Sequence, residues 1–120
     1  MGESALVMLS PATFRRIALA LPGAAEHEHM GHPDFRVNGR IFASLGYPDR
    51  KHGMVKLTPE QQAEMMRDHP AVFVPAAGAW GLQGSTTVRL AEADEEAIGI
   101  ALTAAWKRAT ALKPAKKKRQ

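Results

Sequence analysis

Residues 34–45 read Asp34-Phe35-Arg36-Val37-Asn38-Gly39-Arg40-Ile41-Phe42-Ala43-Ser44-Leu45. Asn38-Gly39 supplies the positive φ angles that a two-residue hairpin turn needs, and a strand-forming run lies on each side of it. A two-residue alternation of apolar and polar side chains extends over residues 26–57. An antiparallel sheet is therefore predicted for this region.

Helix starts are predicted on both sides of this sheet. Ser10 and Thr58 each precede a proline, which is favoured at the first helical position because its missing N–H costs nothing there. Gln61 follows Thr58 at the spacing of a capping box. Asp94 begins the last helix, which has acidic residues in its first turn and basic residues near its end, as the helix dipole favours.

The order helix, strands, helix, strand, helix predicts an α+β domain, because hairpin connections are too short for the crossovers that parallel strands need. Residues 1–112 are expected to form this single domain with helices packed against an antiparallel sheet, and residues 113–120 a disordered basic tail. The strand side chains expected to face the helices are Phe35, Val37, Ile41, Ala43, Leu45, Val55, Leu57, Val88 and Leu90.

The formal charge of +4 is concentrated at one end of the chain. Residues 1–112 hold 11 Lys and Arg against 12 acidic residues, and residues 113–120 add five bases and no acid. The lack of cysteine excludes disulfides, thiolate metal sites and a cysteine nucleophile. No apolar stretch reaches the roughly 18 to 20 residues of a membrane span, so we expect a soluble cytoplasmic protein, with a monomer favoured.

Short motifs that resemble one protein family are spread in order from Phe14 to Trp106. They are His29-Met30-Gly31-His32-Pro33-Asp34-Phe35-Arg36-Val37, Gly39, Ile41-Phe42-Ala43, Val55-Lys56-Leu57-Thr58, Phe73, Trp80-Gly81, Gly84-Ser85-Thr86 and Ala105-Trp106. The sequence resembles the MmcQ/YjbR family. This resemblance implies a double-wing α+β fold, with two β-wings beside packed helices, and DNA binding by analogy of shape with the DNA-binding domain of a viral transcription factor.

Strand alternation places a group of basic side chains on the sheet face away from the helices. The predicted members of this basic wing face are Arg36, Arg40, Phe42, Ser44, Lys56 and Arg89. Its cations would hold phosphates and its aromatic ring would stack on bases, which predicts a nucleic-acid site with DNA as the partner. The alternative is a solvated face on which the arginines pair with Asp34 and Glu92, and on which another segment covers Phe42.

The tail is the stronger electrostatic candidate for contacts with DNA. Its cations are Lys113, Lys116, Lys117, Lys118 and Arg119. Five phosphate contacts would give a log–log salt slope of roughly −4 to −5 without sequence preference. The alternative is a solubilising end without a dedicated partner. Deletion of residues 113–120 is expected to abolish most retention of DNA at low salt, and an unchanged mobility-shift midpoint would remove the tail from the site.

Three histidines follow the pattern His27-x-His29-x-x-His32. On a strand His27 and His29 point the same way, and a turn at Gly31 would return His32 toward them, so the three imidazoles are candidate ligands for zinc or nickel. The alternative, which we favour, is a histidine-rich surface loop that binds no metal. No cofactor is predicted.

The sequence contains no arrangement typical of an active site. Ser44 and Ser85 lie outside any nucleophile-elbow motif, and residues 78–84 lack the order of a phosphate-binding loop. We therefore expect a binding protein without enzymatic activity. The rival to DNA binding is a protein- or small-ligand-binding module that uses residues 72–84, with Phe73 and Trp80 as its apolar anchors.

Overall fold

The computed structural model describes residues 10–112. The helices of this part of the chain are α1 (Pro11–Leu19), α2 (Pro59–Asp68), α3 (Gly78–Leu82) and α4 (Glu95–Ala111), with a 3-10 turn at Leu90–Glu92. The strands are β1 (Ala25–His29), β2 (His32–Val37), β3 (Arg40–Leu45), β4 (His52–Lys56), β5 (Phe73–Pro75) and β6 (Ser85–Arg89). They form one antiparallel sheet in the order β1-β2-β3-β4-β6-β5, which confirms the predicted α+β fold class.

The helix caps form as the sequence predicts. Thr58 Oγ1 accepts a hydrogen bond from the Gln61 backbone N–H at 3.0 Å, and Gln61 Oε1 accepts one from the Thr58 backbone N–H at 2.8 Å, which completes a capping box. The Asp94 carboxylate accepts a hydrogen bond from the Ala97 backbone N–H at 2.8 Å. Local sequence signals therefore fix where α2 and α4 begin.

The β2–β3 hairpin has the predicted tight turn at Asn38-Gly39, with φ angles of 55° and 73°. A two-residue turn pairs Val37 directly with Arg40, so Arg40 lies on the same face of the sheet as Val37 and Ile41 lies on the face of Arg36. The predicted core position of Ile41 and the predicted outer position of Arg40 are wrong, because a two-residue turn puts positions 37 and 40 on the same face, whereas strict alternation along the sequence would put them on opposite faces.

Phe42 is fully buried, and its predicted place on the outer face is wrong. It follows Arg40 by two residues and therefore points to the core face. A register shift then pairs Phe35 with Ala43, so that a bulge at Phe42 returns Ala43 to the core face beside it. Both side chains are 0% exposed, and the extra residue lets the rest of β3 keep its apolar side toward the helices.

The hydrophobic core lies between the sheet and α4, which packs on β2, β3 and β4 and against α1. The face of α4 toward the sheet is buried and includes Ile98, Leu102, Ala105 and Ala109. Residues 72–84, which the sequence suggests only as a Pro- and Gly-rich connection, contain the edge strand β5 and the short helix α3. None of the helices within residues 10–112 is long and apolar enough to cross a bilayer.

Candidate nucleic-acid interface

Arg36, a member of the predicted basic face, is already paired within the sheet. Its Nε donates to Asp34 Oδ1 at 2.8 Å and its Nη2 donates to Asp34 Oδ2 at 3.1 Å. The Asp34 side chain is only 2% exposed, so this bidentate pair keeps a buried carboxylate satisfied. The hydrogen bond with Asp34 is also the main reason why the pKa of Arg36 is raised. Arg36 therefore acts as a structural cation, as the alternative interpretation of this face supposed.

Arg89 lies at the opposite end of the sheet from Lys56. It pairs with His52, the first residue of β4, whereas Lys56 is the last residue of that strand. Four residue steps of antiparallel strand separate these positions by about 14 Å. The Arg89 Nη1 donates to the Ala71 carbonyl oxygen at 3.2 Å. Arg36, Lys56 and Arg89 thus share a face but do not form one contiguous patch.

The basic residues that do converge lie at the end of β4. The Lys56 Nζ is 5.6 Å from the centroid of the Trp80 ring, within cation–π range. Partial burial lowers the pKa of Lys56, and the positive charges of Arg108 and Arg40 lower it further. The two guanidinium groups are therefore near enough to repel the ammonium. We call Lys56, Trp80, Arg108 and Arg40 the Lys56 cluster.

A close approach of backbone segments positions Trp80 over Lys56. Gly84, which joins α3 to β6, has a φ of +111°, and a Cβ on it would lie 1.9 Å from the Leu57 carbonyl oxygen, so only glycine fits there. The Leu57 N–H donates to the Gly84 carbonyl at 3.2 Å. This contact fixes α3 beside the end of β4 and leaves the Trp80 side chain 63% exposed.

Arg108 is the cluster residue that the sequence did not identify. It lies in the last turn of α4, where the helix dipole alone accounts for a basic residue. Neither Arg108 nor Lys56 forms a salt bridge with any residue between 10 and 112. The two residues are far apart in the sequence, and the charge of Arg108 acts on Lys56 only because α4 packs across the sheet, so no local spacing could have linked them.

The histidine pattern folds as expected but does not assemble a metal site in the part of the chain that the structure describes. His29 pairs with His32 across the β1–β2 turn, and His27 pairs with the buried Asp34. The His32 ring packs edge-on against Tyr47, with 6.5 Å between the ring centroids. No group of three or more potential ligands among residues 10–112 is arranged to hold a metal ion.

The rival apolar site retains only one of its two anchors. Phe73 is 1% exposed because it belongs to the core, so it cannot contact a partner, and its predicted role is wrong. Trp80 and Leu82 are exposed on α3, at 63% and 82%. The accessible anchor is thus also the aromatic member of the Lys56 cluster.

The remaining predicted contacts, Lys116, Lys117, Lys118 and Arg119, lie outside the described residues. The helix that precedes them in sequence, α4, has an uneven distribution of charge. Glu95 and Glu96 occupy the first turn of α4 and Arg108 its last turn, so the helix has opposite charges at its two ends. The basic tail follows the positive end directly in sequence.

The molecule is thus a small α+β protein with one six-stranded antiparallel sheet and a cationic cluster at one end. The YjbR family profile matches residues 19–108, and the chain belongs to this family, which confirms the resemblance seen in the sequence. The fold is similar to the crystal structure of the Deinococcus radiodurans protein DR2400, which has a DUF419 domain; the TM-score is 0.69 at 21% identity, over 86% of this chain and 80% of that one. No curated protein matches the sequence.

Proposed function

We propose that this protein binds nucleic acid, with DNA as the expected partner, through the Lys56 cluster and the basic tail, and that it has no catalytic activity. The observation that supports this most directly is the Lys56 ammonium, held 5.6 Å from the Trp80 ring and close to the charges of Arg108 and Arg40. Positive groups that repel one another in a partly buried site gain when an anion binds between them. A phosphate group is an anion of this kind.

Trp80 favours a nucleic acid over a small inorganic anion. An exposed indole beside several cations offers a surface on which a base can stack while the cations contact the backbone phosphates. Phe42, which the sequence suggested for this role, is enclosed in the core. The ring proposed to stack on bases is therefore Trp80 on α3 and not Phe42 on the sheet.

The acidic and basic residues of α4 lie at opposite ends of the helix. Residues 1–112 have nearly balanced charges, which argues against long-range attraction of a polyanion. The acidic first turn and the basic last turn of α4 are separated by about 25 Å over its 17 residues. At physiological salt the Debye length is about 8 Å, so a bound phosphate at one end is little affected by the carboxylates at the other.

The experiment is a comparison of Lys56→Gln with Lys51→Gln, measured by fluorescence anisotropy with labelled single-stranded and duplex oligonucleotides. Lys51 is exposed beside the other end of β4, so it is a matched control for the loss of one charge. Lys56→Gln is expected to lower affinity about 3- to 10-fold and to reduce the salt slope by the value of one phosphate contact, which is about 0.9 on the duplex and about 0.7 on the single strand. Equal effects of the two variants would contradict the proposal.

Trp80→Ala separates stacking from simple charge attraction. We expect it to weaken binding to single strands more than to duplex, because only unpaired bases can stack on the indole. Loss of the tail in a protein that ends at Leu112 is expected to reduce the salt slope by roughly 4 to 5 on the duplex and by roughly 3 to 4 on the single strand. If neither oligonucleotide binds at about 50 mM salt, the rival function, contact of Trp80 and Leu82 with a protein partner, becomes the better one.

A further inference from the structure

Gln62 lies near the start of α2, with its side chain half-buried against the connection between α3 and β6. Its Nε2 lies 3.1 Å from three acceptors, which are the Gly81 carbonyl oxygen, the Ser85 carbonyl oxygen and Thr86 Oγ1. The Thr86 hydroxyl donates its one hydrogen to the Gly84 carbonyl at 2.8 Å, so it accepts from Gln62. One amide group therefore connects α2 both to α3 and to β6.

The hydrogen bond to the Gly81 carbonyl reaches the helix that carries the exposed ring of the Lys56 cluster, because Gly81 follows Trp80 directly in α3. This helix has only five residues, and its N-cap residue, Ala77, provides no side-chain hydrogen bond. A helix of this length is not stable alone and depends on contacts with the rest of the fold. The position of the Trp80 ring therefore depends on the groups that hold α3.

The cation of the pair is joined to the same glutamine through the backbone. Lys56 is the last residue of β4, and only Leu57 separates it from Thr58, the N-cap residue of α2. The capping box fixes this junction, and the Gln62 backbone N–H donates to the Thr58 carbonyl at 2.8 Å. Gln62 is thus linked to Lys56 by one short stretch of backbone and to the Trp80 helix by its side chain.

We propose that Gln62 is a positioning residue of the Lys56 cluster: it holds Trp80 where a base can stack on the ring, and it thereby sets a preference for single-stranded over duplex nucleic acid. The preference rests on the proposed function, whereas the position of the ring is a property of the protein alone. A ring that is held in place before binding loses little conformational entropy when a base stacks on it. Without the Gln62 hydrogen bond the ligand must order the indole, while the cations still contact the phosphates.

The position of the ring is measured first, without nucleic acid. The ring current of Trp80 shifts the NMR resonances of the Lys56 ε-methylene protons, because the Lys56 Nζ lies 5.6 Å from the ring centroid. Trp80→Ala defines the resonance positions without the ring. Gln62→Met, which keeps the length of the side chain but cannot donate, is expected to move the Lys56 resonances most of the way to those positions. Resonances that stay at their wild-type positions would overturn the proposal.

Gln83→Met is the matched control for the loss of an amide group beside α3. Gln83 is the exposed C-cap residue of this helix, and its side chain forms no hydrogen bond with any residue between 10 and 112. This variant should leave the Lys56 resonances unchanged. In the same spectra the indole N–H of Trp106, which donates to the Pro22 carbonyl at 2.8 Å, reports whether the rest of the fold is intact. Equal shifts in the two variants would overturn the specific role of Gln62.

Gln62→Glu tests the hydrogen-bond donor itself. An ionised carboxylate has no hydrogen to donate and would face the carbonyl oxygens of Gly81 and Ser85, whereas the protonated carboxyl group has one O–H donor. The Lys56 resonances of this variant should therefore be displaced at neutral pH and should return toward their wild-type positions as the pH falls through the pKa of the introduced carboxyl group. Gln62→Met should show no such recovery. Displacement of the Gln62→Glu resonances by the same amount at every pH would contradict the role of the donor.

Binding is then measured by fluorescence anisotropy with the single-stranded and duplex oligonucleotides. Gln62→Met is expected to weaken binding to the single strand about 3- to 10-fold and binding to the duplex less than about twofold, because stacking is impaired while the phosphate contacts remain. Equal losses on the two oligonucleotides would overturn the role of Gln62 in the preference. Absence of binding to either oligonucleotide, together with displaced Lys56 resonances in Gln62→Met, would refute the proposed function and leave the positioning of the ring supported.

Discussion

Arg36 on β2 and Lys56 on β4 are both basic residues of the same sheet, yet their surroundings give them different roles. Arg36 donates two hydrogen bonds to the buried Asp34, whereas Lys56 lies over the exposed ring of Trp80 and near two other cations. The first arrangement uses the positive charge to stabilise the fold. The second leaves it available to an anion. The number of basic residues on a surface is therefore a poor guide to polyanion binding unless the partner of each one is known.

Two aromatic side chains show the same contrast. Phe42, which the sequence analysis assigns to the basic face, is fully buried in the core. Trp80, which the sequence analysis assigns to an apolar binding site, is 63% exposed and lies beside Lys56. Each role can be tested by truncation of the side chain.

The largest effect is expected for Phe42→Ala. Removal of a fully buried phenyl ring should lower the free energy of unfolding by about 3 to 5 kcal/mol, and Trp80→Ala should lower it by less than about 1 kcal/mol because its ring is mostly solvated. Urea denaturation followed by circular dichroism measures both. A loss below about 1 kcal/mol for Phe42→Ala would contradict the burial of Phe42 and would indicate a register of β3 in which this side chain faces solvent.

The sequence allows those parts of the fold to be predicted that depend on neighbours in the chain. The capping box of Thr58 and Gln61 and the Asn38-Gly39 turn are local hydrogen-bond and backbone-angle signals, and they appear where expected. The side of Phe42 could not be decided in this way. Ile41-Phe42-Ala43 is a continuous apolar run, which suits either face, and the choice follows from the turn length and from the bulge that restores the pairing of Ala43 with β2.

The candidate site was predictable only in part. The sequence indicates Lys56 and Arg40 as candidate cations of the site, although it assigns Arg40 to the wrong face of the sheet. Arg108 comes near Lys56 from α4 through tertiary packing, which leaves no short-range pattern. The sequence offers pairing of the arginines with Asp34 and Glu92 as an alternative, and in the structure Arg36 pairs with Asp34, two residues away on the same strand. Spacing along one strand brings two side chains within reach of each other, but it does not show which of two nearby groups a cation will select.

The pair of Arg36 and Asp34 stabilises the fold through two hydrogen bonds. Asp34→Ala should lower the free energy of unfolding by about 2 kcal/mol, because it removes both charge-assisted hydrogen bonds of Arg36. The value is below that of a fully buried pair, since the Arg36 side chain is 31% exposed and can be hydrated in part. A double-mutant cycle with Arg36→Ala should give a coupling of at least about 1 kcal/mol.

The same variants separate Arg36 from Lys56 in binding. Arg36→Ala should change oligonucleotide affinity by less than about twofold, because its charge is already compensated. An affinity loss as large as that of Lys56→Gln would show that Arg36 exchanges Asp34 for phosphate, and the distinction between the two basic residues would then fail.

The smallest effect is the pH dependence that Lys56 introduces. Burial and the neighbouring cations lower the pKa of Lys56 from its ordinary value of 10.5, so the charged form is less favourable in the folded than in the unfolded protein. This penalty is complete at neutral pH and is removed as the pH rises through the lowered pKa toward 10.5. Relative to Lys56→Met, the wild type should therefore gain stability across this alkaline window, by less than about 1 kcal/mol.

Nucleic-acid binding should act in the opposite direction on the same group. A bound phosphate favours the ammonium and raises the pKa of Lys56 back toward its ordinary value. Binding in the alkaline window should then take up protons, which calorimetry detects as a binding enthalpy that differs between two buffers of unequal ionisation enthalpy. The Lys56→Met variant should lose this proton uptake while Lys51→Gln keeps it. Uptake that persists in Lys56→Met would place the responsive group elsewhere and would remove Lys56 from contact with the phosphate.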